Sequence, residues 1–395
     1  MDFKIAIQQD IVLDDVEALQ TLLGSNESFL ASEITLSFTP YKSKRYFGLS
    51  VAIIQLVATW LRHPKSGNFV LNTNLLDDES IKDIYKKDEA FFSVISIIFK
   101  FKRILNKNKT QELNDFLRKY QNEYFLDMMS VNNTHHDSAV LVNYDNHFSH
   151  PAFENHGRFI STPFDLSNRL RAPLVKNVLK NSFKAQTDFL REQNALFGII
   201  YELMKNTFEW GKTNENGISF NPSVRGLIFK FFKKERQNFI EDYIDTPFVA
   251  EYFQNPALKE NSSNQLYFIE ISVFDTGAGL VRKYKSSNNF YPEISDIEII
   301  KLCLIKHNTS SSSIEKTVKG IGLDRILETT NKKGFIRIRT DKYSLYRNMI
   351  KDVYVESKNA KDIKLYDWEK QSSEDFTTLN EVSGTVISII YPINI

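Results

Sequence analysis

The chain has 395 residues, 42% of them hydrophobic and 25% charged, with a formal net charge of +1. That length suffices for two domains or for one large core with insertions, and the composition is that of an ordinary globular protein. A near-zero net charge excludes a global field that would favour nucleic acid or an anionic membrane, and a single cysteine excludes a disulfide framework or a cysteine-based zinc site.

The N-terminal residues Met1 to Ile5 do not read as a signal peptide, because their apolar stretch is short and interrupted. The longest apolar segment, residues 51–61, falls short of the ~20 residues needed to span a bilayer. A cytoplasmic protein with no membrane or nucleic-acid partner is expected. Residues 33–38 alternate as a strand, 47–62 form a helix that Pro64 stops, and 68–72 supply another strand. Helical spacing returns at 91–105 and 111–129, and 139–144 read as a strand. Residues 1–145 are therefore expected to form a compact α/β module that binds a partner or a signal.

Residues 146–180 turn polar and are placed as a linker. His135, His136, His147, His150 and His156 crowd this region, but their spacing is not that of a helical metal-binding pair, so a polar loop is expected. The remainder, 181–395, begins with a long helix and ends in strands. Cys303 lies in the apolar run 299–305 and reads as a structural thiol.

The chemistry gathers in that second part. Residues 268–274 alternate as a strand and stop on Asp275-Thr276-Gly277-Ala278-Gly279. A carboxylate at a strand end accepts from an amino group, and glycines let backbone N–H groups approach a flat or anionic ligand. A plain turn between two strands uses the same residues. In the helix 195–210, Glu202 and Asn206 are four apart and share a face, which suits a bound Mg²⁺ with a water or phosphate beside it, or simply an exposed polar pair. Lys319-Gly320-Ile321-Gly322-Leu323 enters a helix, where free N–H groups and the positive helix end meet an anion, or form a loop with no ligand. Upstream, Ser310 to Ser313 lie in a polar segment suited to closing over a ligand. Gly384-Thr385 opens the last strand.

In this order the motifs resemble the GHKL superfamily: gyrase B-type ATPases, ninety-kilodalton chaperones, histidine kinases and MutL-type proteins. Glu202 and Asn206 look like its N box, Asp275 to Gly279 its first glycine box, and Lys319 to Leu323 its second. The resemblance covers about residues 181–395. It implies an α+β chain whose C-terminal part is a two-layer α/β sandwich of the Bergerat ATP-binding type, preceded by the smaller α/β domain. It further implies ATP and Mg²⁺ as cofactors. Asp275 would accept from the adenine amino group, with the Thr385 hydroxyl or a water assisting, and Gly277 and Gly279 would floor the pocket. Asn206 would hold Mg²⁺ with phosphate oxygens, Gly320 and Gly322 would cradle phosphates, and Glu202 would be the general base. Glu209 matches an acidic position near that base.

Two departures stand out. Val318 occupies a place where another glycine is common, with Lys319 a charged substitute. The spacing from Asn206 to Asp275 is long, and its excess, near 220–260, reads as a helical insertion carrying Phe231, Phe232, Lys233, Lys234 and Arg236. That cluster is either a solvated basic face or a docking site. Residues 167–174 are similar to a histidine-kinase H box, but Asn168 stands in the histidine's place, so phosphorylation there is excluded. The expected activity is a slow or partner-stimulated Mg-dependent ATPase acting as a nucleotide-gated switch. The alternatives are a protein kinase acting on a separate partner and a module that holds ATP without turnover. A protein partner on the N-terminal module or the 220–260 segment is expected, and a homodimer is possible on the same reading.

Overall fold

The computed structural model describes residues 3–40, 46–131, 134–135, 137–145, 147–287, 294–305 and 322–393. Lys319, Gly320 and the serine run lie outside the described residues. The architecture is mixed α/β, with a four-stranded parallel sheet, an eight-stranded antiparallel sheet and a two-stranded antiparallel pair.

The parallel sheet has four strands in the order β1 (Phe3–Ile7), β2 (Ile34–Phe38), β3 (Ser66–Leu71) and β4 (Ile104–Asn106). Its helices are α1 (Leu13–Leu23), α2 (Asn26–Leu30), α3 (Leu49–Arg62), α4 (Asp78–Lys87), α5 (Phe91–Ile98) and α6 (Asn114–Met129). The expected strands and helices of this part are present within a few residues. The exception is the end of the 91–105 helix, where the chain leaves α5 and forms β4.

The antiparallel sheet uses β5 (Thr134–His135), β6 (Ser138–Tyr144), β9 (Val224–Glu235), β10 (Gln265–Asp275), β11 (Phe335–Thr340), β12 (Tyr343–Asn348), β13 (Tyr366–Asp367) and β14 (Thr385–Pro392). Their spatial order is β13-β12-β11-β14-β10-β9-β6-β5. Strand β6 pairs with β9 along its whole length, so the sheet reaches back across the expected boundary at residue 145.

Two further expectations are corrected. The segment 146–180 is structured: β7 (Glu154–Asn155) and β8 (Arg158–Phe159) pair, and α7 (Pro163–Asn177) follows. Helix α7 starts on a capping box, with Thr162 Oγ1 accepting from the Asp165 N–H and Pro163 in the first turn. The expected helical insertion opens instead with the strand β9. Only then come the short helices α9 (Arg236–Asp242) and α10 (Pro247–Gln254). Strand β9 is covered on both faces over residues 224–231, so its apolar residues do not alternate cleanly.

The two faces of the antiparallel sheet carry different layers. On one lies α8 (Phe183–Trp210), with Phe189 against Phe229 and Glu192 accepting from the Tyr391 hydroxyl at 2.5 Å. Helices α7 and α13 (Gly322–Thr330) pack on α8. On the other lie α3 and α5, sandwiched between the two sheets. Helix α3 is apolar on nearly all sides, as a helix buried from both directions must be. Trp60 Nε1 donates to the Ile34 carbonyl at 2.9 Å on one side, and the Gly48 N–H donates to Glu270 Oε1 at 3.1 Å on the other. Among the described residues no helix is long and apolar enough to cross a membrane.

Candidate functional site

Strand β10 runs through the centre of the antiparallel sheet and delivers Asp275 at its end. Asp275 sits opposite Arg225 of β9 and on the α8 face. Its Oδ1 accepts the Gly277 N–H at 2.8 Å, and the Thr385 backbone N–H bonds it as well. The residue keeps part of its surface open, yet protein crowds the carboxyl, and that burial pushes its pKa from 3.8 up to about 6. The two N–H donors, then Arg62 and Arg225, oppose the rise. Asp275 is therefore ionised at pH 7, with acceptor capacity beyond these two bonds.

Glycines crowd this carboxylate because nothing larger fits. A Cβ on Gly277 would lie 2.8 Å from Asp275 Oδ1 and from the Gly211 backbone. One on Gly384, at φ +73°, would come within 1.9 Å of the Asp275 carbonyl oxygen. Gly279 stands at φ +91° with the Asp341 carboxylate against it. That carboxylate caps helix α11 (Leu280–Ser287): Val281 N–H donates to Asp341 Oδ2 at 2.9 Å, and Leu280 N–H to Thr340 Oγ1 at 3.0 Å. Thr385, expected to assist Asp275 at a ligand through its hydroxyl or a water, has its Oγ1 hydrogen-bonded to Thr340 Oγ1 at 3.0 Å, and its backbone N–H bonds Asp275.

Helix α8 presents Glu202, Asn206 and Glu209 at spacings of four and three, one stripe on the helix. All three are half-buried. Burial raises the Glu202 pKa; Lys205 and Arg325 oppose the rise, and Glu209 adds to it. Arg325 reaches Glu202 from α13, Nη1 to Oε1 at 3.7 Å, and lies over Gly198. Gly322 is the first residue of α13, and Leu323 behind it is buried. The Glu202, Asn206 and Glu209 stripe and helix α13 are thus adjacent, and Gly211 at the end of α8 touches Asp275. Among the described residues no group of three or more His, Cys, Asp or Glu is arranged to hold a metal ion.

Sequence reasoning missed Gly211, Arg325, Asp341 and Arg62. Gly211 ends a helix, where glycine is common whatever lies beside it. The others act from elements distant in the chain. Of the clustered histidines, His150 is buried in the core: its Nε2–H donates to the Met128 carbonyl at 2.9 Å, its Nδ1 accepts the Ala152 N–H at 3.1 Å, and burial pulls its pKa down to about 4, while His136 lies outside the described residues. Cys303 is half-buried, its thiol pushed up to about 12 by burial. The basic cluster near 230–236 is largely paired, Lys234 with Asp242 at 2.5 Å and Arg236 with Glu260 at 2.8 Å. Comparison with protein-family models, with curated proteins and with solved structures finds no match to this chain.

Proposed function

We propose that the chain binds ATP with Mg²⁺ on the α8 face of the antiparallel sheet and turns it over slowly, or on stimulation by a partner, as a nucleotide-gated switch of the GHKL type. The observation that carries this reading is Asp275. It is an ionised, acceptor-only group at a strand end, crowded by glycines and partly open, and it calls for a ligand donor. An exocyclic amino group such as adenine's supplies one, and guanine's carbonyl at the same ring position does not. Glu202 and Asn206 on the neighbouring helix stripe provide the other end.

Bound Mg²⁺ would neutralise phosphate charge and order the terminal phosphate. Asn206 supplies a neutral oxygen ligand that leaves room for phosphate oxygens. Glu202, its proton affinity raised by burial, accepts a proton from an attacking water better than a solvated carboxylate does. Lys205 and then Arg325 oppose that rise, favouring the charged carboxylate.

Incubation with γ-labelled ATP, scoring free phosphate against label on protein, tests the reading. Free phosphate is expected, slow in isolation. Glu202→Gln should keep ATP affinity and lower phosphate release by on the order of 10²–10⁴-fold. Label on a protein would favour the kinase alternative, and retained turnover in the variant would remove Glu202 as base.

A further inference from the structure

One stripe of α3 faces the backbone around Asp275. Gln55 Nε2 donates to the Arg339 carbonyl at 3.3 Å and to the Gly384 carbonyl at 3.4 Å. Four residues on, Thr59 Oγ1 accepts the Ser383 N–H at 3.0 Å. Three further on, Arg62 donates from Nη1 to the Gly277 carbonyl at 3.2 Å and from Nη2 to the Thr276 carbonyl. Its guanidinium lies on the Phe220 ring, 3.8 Å from the centroid. The Gly277 carbonyl also takes the Gly384 N–H at 2.9 Å, so both turns beside Asp275 are tied to each other and to α3.

We propose that Arg62, supported by Gln55 and Thr59, is a positioning residue for Asp275, which makes the parallel-sheet layer a working part of the nucleotide site. The inference rests on the nucleotide reading above. The link is one peptide unit long. A peptide group is planar, so the Arg62 bond that fixes the Thr276 carbonyl also fixes the Gly277 N–H on the same plane. That N–H is the donor to Asp275 Oδ1 at 2.8 Å.

Stability alone does not call for this arginine. A buried guanidinium loses hydration, and an apolar residue of similar volume often stabilises a core as well. Here burial brings the Arg62 pKa down to about 10, with Asp275 the main opposing influence, so the group stays charged at pH 7. A planar fork oriented on two successive carbonyls sets a direction, which an apolar side chain cannot do.

Charge and geometry separate in two variants. Asp275 faces cations from two elements, Arg62 of α3 and Arg225 of β9. Arg62→Gln removes the charge and the fork. Arg62→Lys keeps the charge and loses the fork. ATP binding by titration calorimetry between pH 5 and 8 should weaken about tenfold in both. The loss of binding toward acid should move to higher pH in Arg62→Gln and stay in place in Arg62→Lys. Amide hydrogen exchange supplies a readout that needs no nucleotide. Arg62→Gln should speed exchange at residues 276–279 and 383–385 while α8 stays protected. Wild-type affinity and wild-type exchange in these variants overturn the inference, and Arg62→Lys alone decides it if Arg62→Gln does not fold. Failure of the wild type to bind ATP, with exchange altered as described, overturns the nucleotide reading and leaves the positioning role standing.

Discussion

The two faces of the antiparallel sheet hold their charges in opposite ways. Against α3 and α5 the charges face one another. Lys230 pairs with Glu89 at 2.6 Å and stands 3.8 Å from Glu270, and Glu17 takes Arg337 and Arg339, both at 3.0 Å. All six are buried, and each has an ionic partner inside the protein. On the α8 face the strands are apolar along most of their length, and polar groups collect at the Asp275 end, where buried Arg225 is itself paired with Asp145 and Glu154. There the carboxylates of Asp275 and Glu202 are half-buried, with raised pKa values and unused acceptor capacity. Buried charge is thus a poor guide to function unless its partners are counted. The face with more of it is the closed one.

The largest expected effect lies on the closed face. Glu17→Ala leaves two guanidinium groups without their carboxylate, and should lower stability by about 3–5 kcal/mol in denaturant unfolding. A loss under 1 kcal/mol would mean that the arginines are satisfied by other means, and the contrast between the faces would weaken.

On the open face Asp275→Asn should cost ATP about 1–3 kcal/mol of affinity while leaving the turn intact, because an amide oxygen still accepts the Gly277 N–H. Calorimetry with ATP and GTP compares the two bases, and equal losses would argue against an adenine contact. The same variant carries a stability signature. A carboxyl whose folded pKa is raised binds more protons folded than unfolded between pH 3.8 and about 6, so its contribution to stability falls as pH rises through that window. The urea midpoint of Asp275→Asn relative to wild type should therefore rise from pH 4 to pH 6. A constant difference would mean that the carboxyl is not raised.

The smallest effect is expected at Thr385. Thr385→Val removes the bond to Thr340 Oγ1, which keeps its contacts to Asp341 at 2.9 Å and to the Leu280 N–H. Stability should drop by no more than about 1 kcal/mol, and ATP affinity should not change. A selective loss of ATP affinity would return the hydroxyl to the list of ligand contacts.

Much of the open face was legible in the sequence, because each part is local. A strand ending on Asp275 with two spaced glycines, and a helix with Glu202 and Asn206 one turn apart, need only short-range spacing to be seen. Part of the parallel-sheet layer was legible for the same reason, through the strand–helix–strand unit of β2, α3 and β3, whereas β1, β4, α1, α2 and α4 were not read. What failed was long-range. Strand β9 shows Phe231-Phe232-Lys233-Lys234 because its two faces meet different layers, and that pattern mimics a helix. Helix α7 was hidden by Pro173 and its polar surroundings, although the capping box at Thr162 was in plain view. Arg62 gave no signal at all. It closes a helix end, an ordinary place for arginine, and the carbonyls it bonds lie more than two hundred positions later.

The pairing of β6 with β9 bears on how the chain can be cut. An excised 181–395 fragment would keep Glu202, Asn206 and the glycine-bearing segments 275–279 and 319–323 and yet lack the strand that neighbours β9. Strand β9 would become a bare edge of twelve residues, long and rich in phenylalanine, of the kind that joins to other copies. The other face of the sheet would lose α3 and expose Glu270, Lys230 and the two arginines. Aggregation of such a fragment would say nothing about whether the intact chain binds nucleotide. The smallest useful piece runs from the first strand of the parallel sheet to the last strand of the antiparallel one.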